Sequence, residues 1–222
     1  MKTTLIAIGF SLLSFVSQAQ SFEGVVKYKS TISGTEPANM LTKLMNKASS
    51  TLYIGKNGDV RLMVKLDEEI VDDFIYEAKK TFKVNHSKKQ AKVLDPKFAG
   101  RTATFKKSKI KPLNEIDTIL GYPCNKYELI TESSNFLTGE IKLDTSIVWS
   151  TLSIPISNEV KKAYHFGKFH DLPGFVIKEI KGNSKATTEL LITEIIFGLP
   201  DSTLLQIPEG YKVNEFKPLT ID

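Results

Sequence analysis

From Phe22 to Phe197 the chain breaks into short stretches rich in β-branched and aromatic residues, separated by turn-forming residues. This punctuation limits the fold more than any other feature. Phe22–Ile32 reads as a strand. Ser50–Lys56 and Asp59–Leu66 flank Asn57-Gly58, a pair that suits a tight hairpin turn. Leu52 and Ile54 share one parity, and Leu62, Val64 and Leu66 another, so one side of this hairpin is expected to be buried. Further strands are predicted at Asp73–Ala78, Thr81–His86, Ala91–Leu94 and Thr102–Lys111. Gly121–Thr131, Gly139–Thr151, Phe175–Lys181 and Thr187–Phe197 continue the series. About nine to eleven short strands joined mostly by tight turns predict an antiparallel sheet, and one of that size tends to curl or close.

Helices are few. Thr35 is suited to cap a helix and Pro37 to open it. Met40, Leu41, Leu44 and Met45 then fall on one face, with Lys43 and Lys47 opposite, which predicts an amphipathic helix of about three turns. A curled sheet offers its concave side to that apolar face. Ser157–Tyr164 is compatible with one or two helical turns, and Ser202–Gln206 with a single turn capped by Ser202. The expected fold class is therefore mainly β with one or two helices (α+β): a curled antiparallel sheet or half-open β-barrel with an amphipathic helix on its concave side.

The N-terminus is patterned differently. Lys2 precedes the apolar run Leu5–Val16, and Ser17-Gln18-Ala19 places small residues before Gln20. This is the layout of a secretory signal peptide. The run is shorter than the roughly 20 apolar residues a membrane-spanning helix needs. Residues 1–19 are expected to be removed, leaving residues 20–222 as a single domain that is periplasmic or secreted, soluble and not membrane-spanning. No cysteine near the cut offers a site for lipid attachment. Cys124 is the only cysteine, so an intramolecular disulfide is excluded, and its setting in GYPCNKYEL predicts a buried small hydrophobe.

Charge is uneven. The chain carries +5 overall, yet Lys79–Lys111 holds eleven lysines and Arg101 against Asp95 alone. Such a stripe suits an anionic envelope surface. It equally suits strands whose lysines alternate with buried residues, as the spacing of Phe82, Val84, Val93 and Leu94 suggests. Nucleic acid is not expected as a partner, since no stacking aromatics are interleaved with the basic residues.

Motifs that carry chemistry are lacking. There is no G-x-S-x-G elbow, no P-loop and no G-x-G-x-x-G. His165 and His170 are five residues apart, a spacing that fits no standard zinc pair. Glu68, Glu69, Asp72 and Asp73 are expected on a solvated turn. No catalytic residue, metal or cofactor is predicted, and the chain is not expected to be an enzyme. Met40, Leu41, Leu44, Met45 and Trp149 are the candidate ligand-binding residues. Methionine is flexible and polarisable and suits varied apolar partners, and each methylene buried contributes about 0.8 kcal/mol.

Gly121-Tyr122-Pro123-Cys124-Asn125-Lys126, then Trp149-Ser150-Thr151, Ile154-Pro155 and Leu172-Pro173-Gly174-Phe175, follow an order that resembles the secreted GLPGLI family of Bacteroidota. The opening Phe22-Glu23-Gly24 and the ending Ile207-Pro208-Glu209-Gly210-Tyr211 resemble a neighbouring exported family of unknown function. Both families are similar in architecture to the periplasmic lipoprotein carriers of the LolA/LolB-like superfamily. That resemblance implies an incomplete LolA-like barrel with helices in its mouth, an apolar cavity, and no catalytic residues. It implies a lipid, lipoprotein or other apolar ligand. The alternative is a non-enzymatic envelope interaction module with a filled core, docking through its basic 79–111 segment.

Overall fold

The computed structural model describes residues 21–34, 46–94, 103–135, 141–163, 168–182 and 186–215. They form one mostly β structure. The strands are β1 (Gly24–Gly34), β2 (Ala48–Ile54), β3 (Val60–Leu66), β4 (Glu69–Glu77), β5 (Lys80–Asn85) and β6 (Gln90–Leu94). After them come β7 (Ala103–Ile119), β8 (Tyr122–Asn135), β9 (Ile141–Thr151), β10 (Phe175–Gly182), β11 (Ala186–Phe197) and β12 (Lys212–Asn214). All twelve join one open sheet in the order β12-β6-β5-β4-β3-β2-β1-β11-β10-β9-β8-β7.

The order records two meanders. Strands β1 to β6 run outward to one edge, β7 to β11 run back from the other, and β11 pairs with β1 from Gly24↔Phe197 to Gly34↔Ala186. Every pairing is antiparallel except the short β12–β6 contact. Bulges at Lys27/Tyr28, Val64/Lys65 and Val176/Lys178, and a three-residue excursion between Pro112 and Ile116, bend the strands. The sheet curls accordingly and leaves β12 and β7 as its edges.

The tight turns fall at other residues than expected. Ala78 and Lys79 both have positive φ and make the two-residue turn between β4 and β5; Leu120 and Gly121 do the same between β7 and β8. The Asn57-Gly58 connection is longer than a two-residue turn. Ile54 pairs with Val60, so five residues form the loop, which is closed by the Gly55 N–H donating to the Asp59 carbonyl at 2.9 Å.

Register sorts the side chains onto two faces. One face, called inner here, carries Val26, Tyr28, Leu52, Ile54, Val60, Leu129, Val148 and Ile192, all buried in one cluster. The connection between β9 and β10 packs into this cluster through Ile154, Val160, Phe169 and Leu172. It contains helix α1 (Asn158–Ala163), whose Val160 N–H donates to Ser157 Oγ at 3.2 Å. Phe22 N donates to the Pro155 carbonyl and Ser157 N to Ser21 Oγ, tying this plug to the start of β1. Of the Glu36–Ala48 segment expected to form the amphipathic helix, residues 36–45, with Met40, Leu41, Leu44 and Met45, lie outside the described residues; Asn46 and Lys47 are helical, and Ala48 already belongs to β2.

The outer face has its own cover. Ile75, Phe82, Val84, Ala91 and Val93 form a second buried cluster, against which Ile207 and Tyr211 pack. The chain reaches them after β11 through a 3-10 turn at Ser202–Leu205. The cap of this turn is Asp201 rather than Ser202: its carboxylate accepts from Thr203 N at 2.9 Å and from the Thr203 hydroxyl at 2.7 Å, contacts that hold its pKa below the ordinary carboxylate value. The segment from Gly198 to Asn214 thus straps the outer face of β2–β6 and ends as β12 on the β6 edge.

Candidate functional site

The inner face is not filled along its whole length. Where α1 and its flanking loop plug the end at which β1 begins, the opposite end opens into a cavity of about 800 Å³. Its wall is built from four neighbouring strands. Ser30 comes from β1, Thr188 and Leu190 from β11, Glu179 and Lys181 from β10, and Leu143, Asp144 and Thr145 from β9. Cross-strand pairing explains the grouping: Ser30 opposes Leu190, Leu190 opposes Glu179, and Lys181 opposes Thr188. Lys168, from the loop that follows α1, completes the lining.

Two ion pairs dominate the wall. Lys168 Nζ meets Glu179 Oε1 with both side chains almost wholly withdrawn from solvent (14% and 10% exposed). Lys181 Nζ lies 2.9 Å from Asp144 Oδ2. Thr188 and Ser30 add hydroxyls, and Leu190 and Ala186 add apolar surface. The volume falls within the usual range for small-molecule sites.

Trp149, expected among the ligand-binding residues, faces away from this cavity. Its cross-strand neighbours are Lys126 and Lys178, on the outer face, whereas the adjacent Val148 shares the inner face with Glu179. The Lys126 and Lys178 ammoniums sit 5.4 and 5.2 Å from the indole ring centroid, and Nε1 donates to Asp117 Oδ2 at 2.6 Å. The ring is buried (7% exposed) and already partnered by two ammoniums and at its N–H.

Cys124 is fully buried, with its thiol donating to the Tyr122 carbonyl at 3.3 Å. Burial pushes its pKa above the ordinary thiol value, opposite to what a reactive thiolate needs. His165 lies outside the described residues, and His170 contacts its neighbour Asp171 at 3.0 Å on the surface. Among the described residues no group of three or more His, Cys, Asp or Glu is placed to hold a metal ion, and no helix is long and apolar enough to cross a membrane.

A buried polar array on the outer face escaped the sequence reading. Asp73, expected on a solvated turn, is fully buried in β4. It accepts Arg61 Nε at 2.9 Å and a second guanidinium nitrogen at 2.6 Å, and lies 2.9 Å from His86 Nε2. Arg61 also donates to the Leu204 carbonyl, and His86 Nδ1 lies 3.0 Å from the Tyr211 hydroxyl. The array resembles a catalytic relay in composition, but it faces the strap and lines none of the cavity. Its neighbour Asp72 is the surface residue of the pair, 2.7 Å from Lys83. The sequence signal was parity: Arg61 and Asp73 fall in register with the buried Ile75 and Phe82 face rather than with Asp72.

No family model matches the chain, and no curated protein matches it. Solved structures with a similar course of chain include an uncharacterized conserved protein from Thermus thermophilus, at 8% identity and TM-score 0.46, with 86% of this chain and 90% of that chain covered. LprF from Mycobacterium bovis is 11% identical over 85% of this chain and 90% of its own, with TM-score 0.36. A domain assigned to outer membrane lipoprotein sorting, from Vibrio parahaemolyticus, is 8% identical over 84% of this chain and 90% of its own, with TM-score 0.32.

Proposed function

We propose that this protein is exported to the cell envelope and there binds an amphiphilic ligand, a lipid or the lipid-bearing part of a lipoprotein, without chemical turnover. The observation that carries this reading is the cavity of about 800 Å³ at the open end of the inner face, continuous in register with the apolar core. Leu190 and Ala186 offer apolar contact there, and the two lysine–carboxylate pairs offer a place for a polar head. Export rests on Lys2, the Leu5–Val16 run and Ser17-Gln18-Ala19. The Met40, Leu41, Leu44 and Met45 stripe is proposed as the apolar cover. Its chain neighbour Asn46 is fixed to β1, its Oδ1 accepting from Ile32 N at 2.6 Å, two residues beyond Ser30 of the cavity wall. This is the half-open LolA-like arrangement that the sequence resemblance implies. Mass spectrometry of lipids extracted from protein purified from its native envelope tests the proposal. Recovery of a stoichiometric amphiphile is expected; its absence, together with failure of the purified protein to bind a fluorescent fatty acid, overturns it.

The second reading is an envelope interaction module, favoured by the plug of Ile154, Val160, Phe169 and Leu172 that fills the other end of the inner face. In that case Lys88, Lys89 and Lys92, exposed beside the β5–β6 turn, would dock on an anionic surface. Lys80, Lys83 and Lys111 of the same basic segment already meet Glu215, Asp72 and Glu128. Vesicle sedimentation at low and high salt separates the two readings, since surface docking is screened by salt and insertion of an acyl chain is not.

A further inference from the structure

The charge of the cavity wall sets a limit on its ligand. Its described charged residues are Lys168, Lys181, Glu179 and Asp144, so among the described residues the wall's charges balance. Each lysine is committed to one carboxylate, and the Lys168–Glu179 pair is nearly dry. Resting on the proposal that an amphiphile occupies this cavity, we propose that its headgroup is zwitterionic rather than anionic, with Glu179 and Asp144 as the residues that decide.

Binding at this wall is an exchange of ionic partners. An anionic head, such as a free carboxylate or a phosphodiester with no cation, can approach the buried Lys168 only by competing with Glu179, and at the more exposed Lys181 it still meets the Asp144 carboxylate. A carboxylate displaced in a buried site loses its partner without regaining water, which is strongly unfavourable. A head that carries both signs exchanges both halves of a pair together: its anion takes the lysine while its cation takes Glu179 or Asp144. No buried charge is left unpaired. The hydroxyls of Ser30 and Thr188, on the same wall, then serve as neutral hydrogen-bonding groups for either half of the head.

The test is a calorimetric titration of the purified protein with three single-chain amphiphiles of equal chain length, each below its micelle concentration. They are a lysophosphatidylethanolamine, a lysophosphatidylglycerol and a fatty acid. The zwitterionic ligand is expected to bind more tightly than either anion by about tenfold or more, the effect of one poorly compensated charge. Glu179→Gln and Asp144→Asn each leave the wall with one positive charge in excess, and each is expected to raise affinity for the anions and narrow or reverse the preference. Asp144 is on a different strand and is more exposed than Glu179, so its variant serves if Glu179→Gln does not fold, which a thermal melt shows. If none of the three binds, the cavity reading itself falls. If the anions bind the unaltered protein as tightly as the zwitterion, or neither variant moves the preference, the cavity reading stands and the headgroup assignment is overturned.

Discussion

The Tyr211 hydroxyl lies 3.0 Å from Nδ1 of His86, across 125 residues of sequence. With its proton on Nε2, the imidazole donates to Asp73 and accepts the phenol, so one ring joins the strap to a fully buried carboxylate. The Arg61 guanidinium makes a second link between the same carboxylate and the strap, holding Asp73 with two nitrogens and the Leu204 carbonyl with a third. The strap is therefore fastened at two points over the apolar face of Ile75, Phe82 and Val93.

These two fastenings differ in weight. Tyr211→Phe keeps the ring against the cluster and loses one hydrogen bond, for an expected cost of about 0.5–1.5 kcal/mol. Arg61→Ala leaves the Asp73 carboxylate buried without its cation, for an expected cost of about 3–5 kcal/mol. Urea melts of the two variants check the ranking. Equal losses would mean that the strap, and not the buried charge, sets the stability of this end of the sheet.

Alkaline pH should weaken the fold. Burial pushes the Tyr28 phenol well above its ordinary value of 10.0, and likewise raises the Cys124 thiol above 9.0. In both cases the fold favours the protonated form. The stabilisation is complete below the ordinary values and erodes as pH rises past them, because the unfolded chain ionises first. The expected slope is up to about 1.4 kcal/mol per pH unit for each group. Melts between about pH 8 and pH 11, a range that brackets both ordinary values, should show stability falling in two steps, and Tyr28→Phe should remove the upper one.

Much of the sheet was legible because its strands obey period 2; its tight turns were less so, since Ala78, Lys79 and Leu120 take positive φ without being residues that favour it. The strands starting at Gly24, Ala48, Val60, Lys80 and Gln90 fall within a few residues of their predicted positions. Strand β7 runs on to Ile119, past its predicted end at Lys111, because Pro112 sits at an irregularity that the pairing with β8 bridges. The strap was not legible. Gly198, Pro200, Pro208 and Gly210 read as loop, and nothing local says that Ile207 and Tyr211 complete a core whose other members lie more than a hundred residues earlier. The family resemblance implied an apolar cavity, whereas the cavity wall here carries two ion pairs. Its wall combines Ser30 with Lys168 and Glu179, and their meeting depends on β11 pairing with β1, the longest-range pairing in the sheet.

Gly174 is a point where a single methyl should be intolerable. Its φ is +74°, and an added Cβ would lie 2.2 Å from the Thr151 carbonyl oxygen. The approach lets β10 begin directly opposite the end of β9, with Phe175 paired to Thr151. Gly174→Ala is expected to lower stability by roughly 1–3 kcal/mol through backbone strain alone, with the clash in addition. A thermal melt unchanged by the substitution would place the close approach elsewhere.

The Met40, Leu41, Leu44 and Met45 stripe provides the last discrimination between a ligand site and a filled core. If these residues are ordinary core, Leu44→Ala should cost roughly 2–5 kcal/mol, as for other buried leucines. If they cover a cavity that is otherwise occupied by ligand, the ligand-free protein has less packing there to lose. Leu44→Ala and Met45→Ala should then change stability little and fatty-acid affinity strongly. The second pattern is expected, because Asn46, next to the stripe, is bonded to Ile32, two residues from Ser30 in the wall of the cavity of about 800 Å³. Parallel thermal melts and fluorescent fatty-acid titrations decide it. A large stability loss in both variants, with no probe binding by the unaltered protein, would transfer this stripe to the core and leave the basic face of β5–β6 as the working surface.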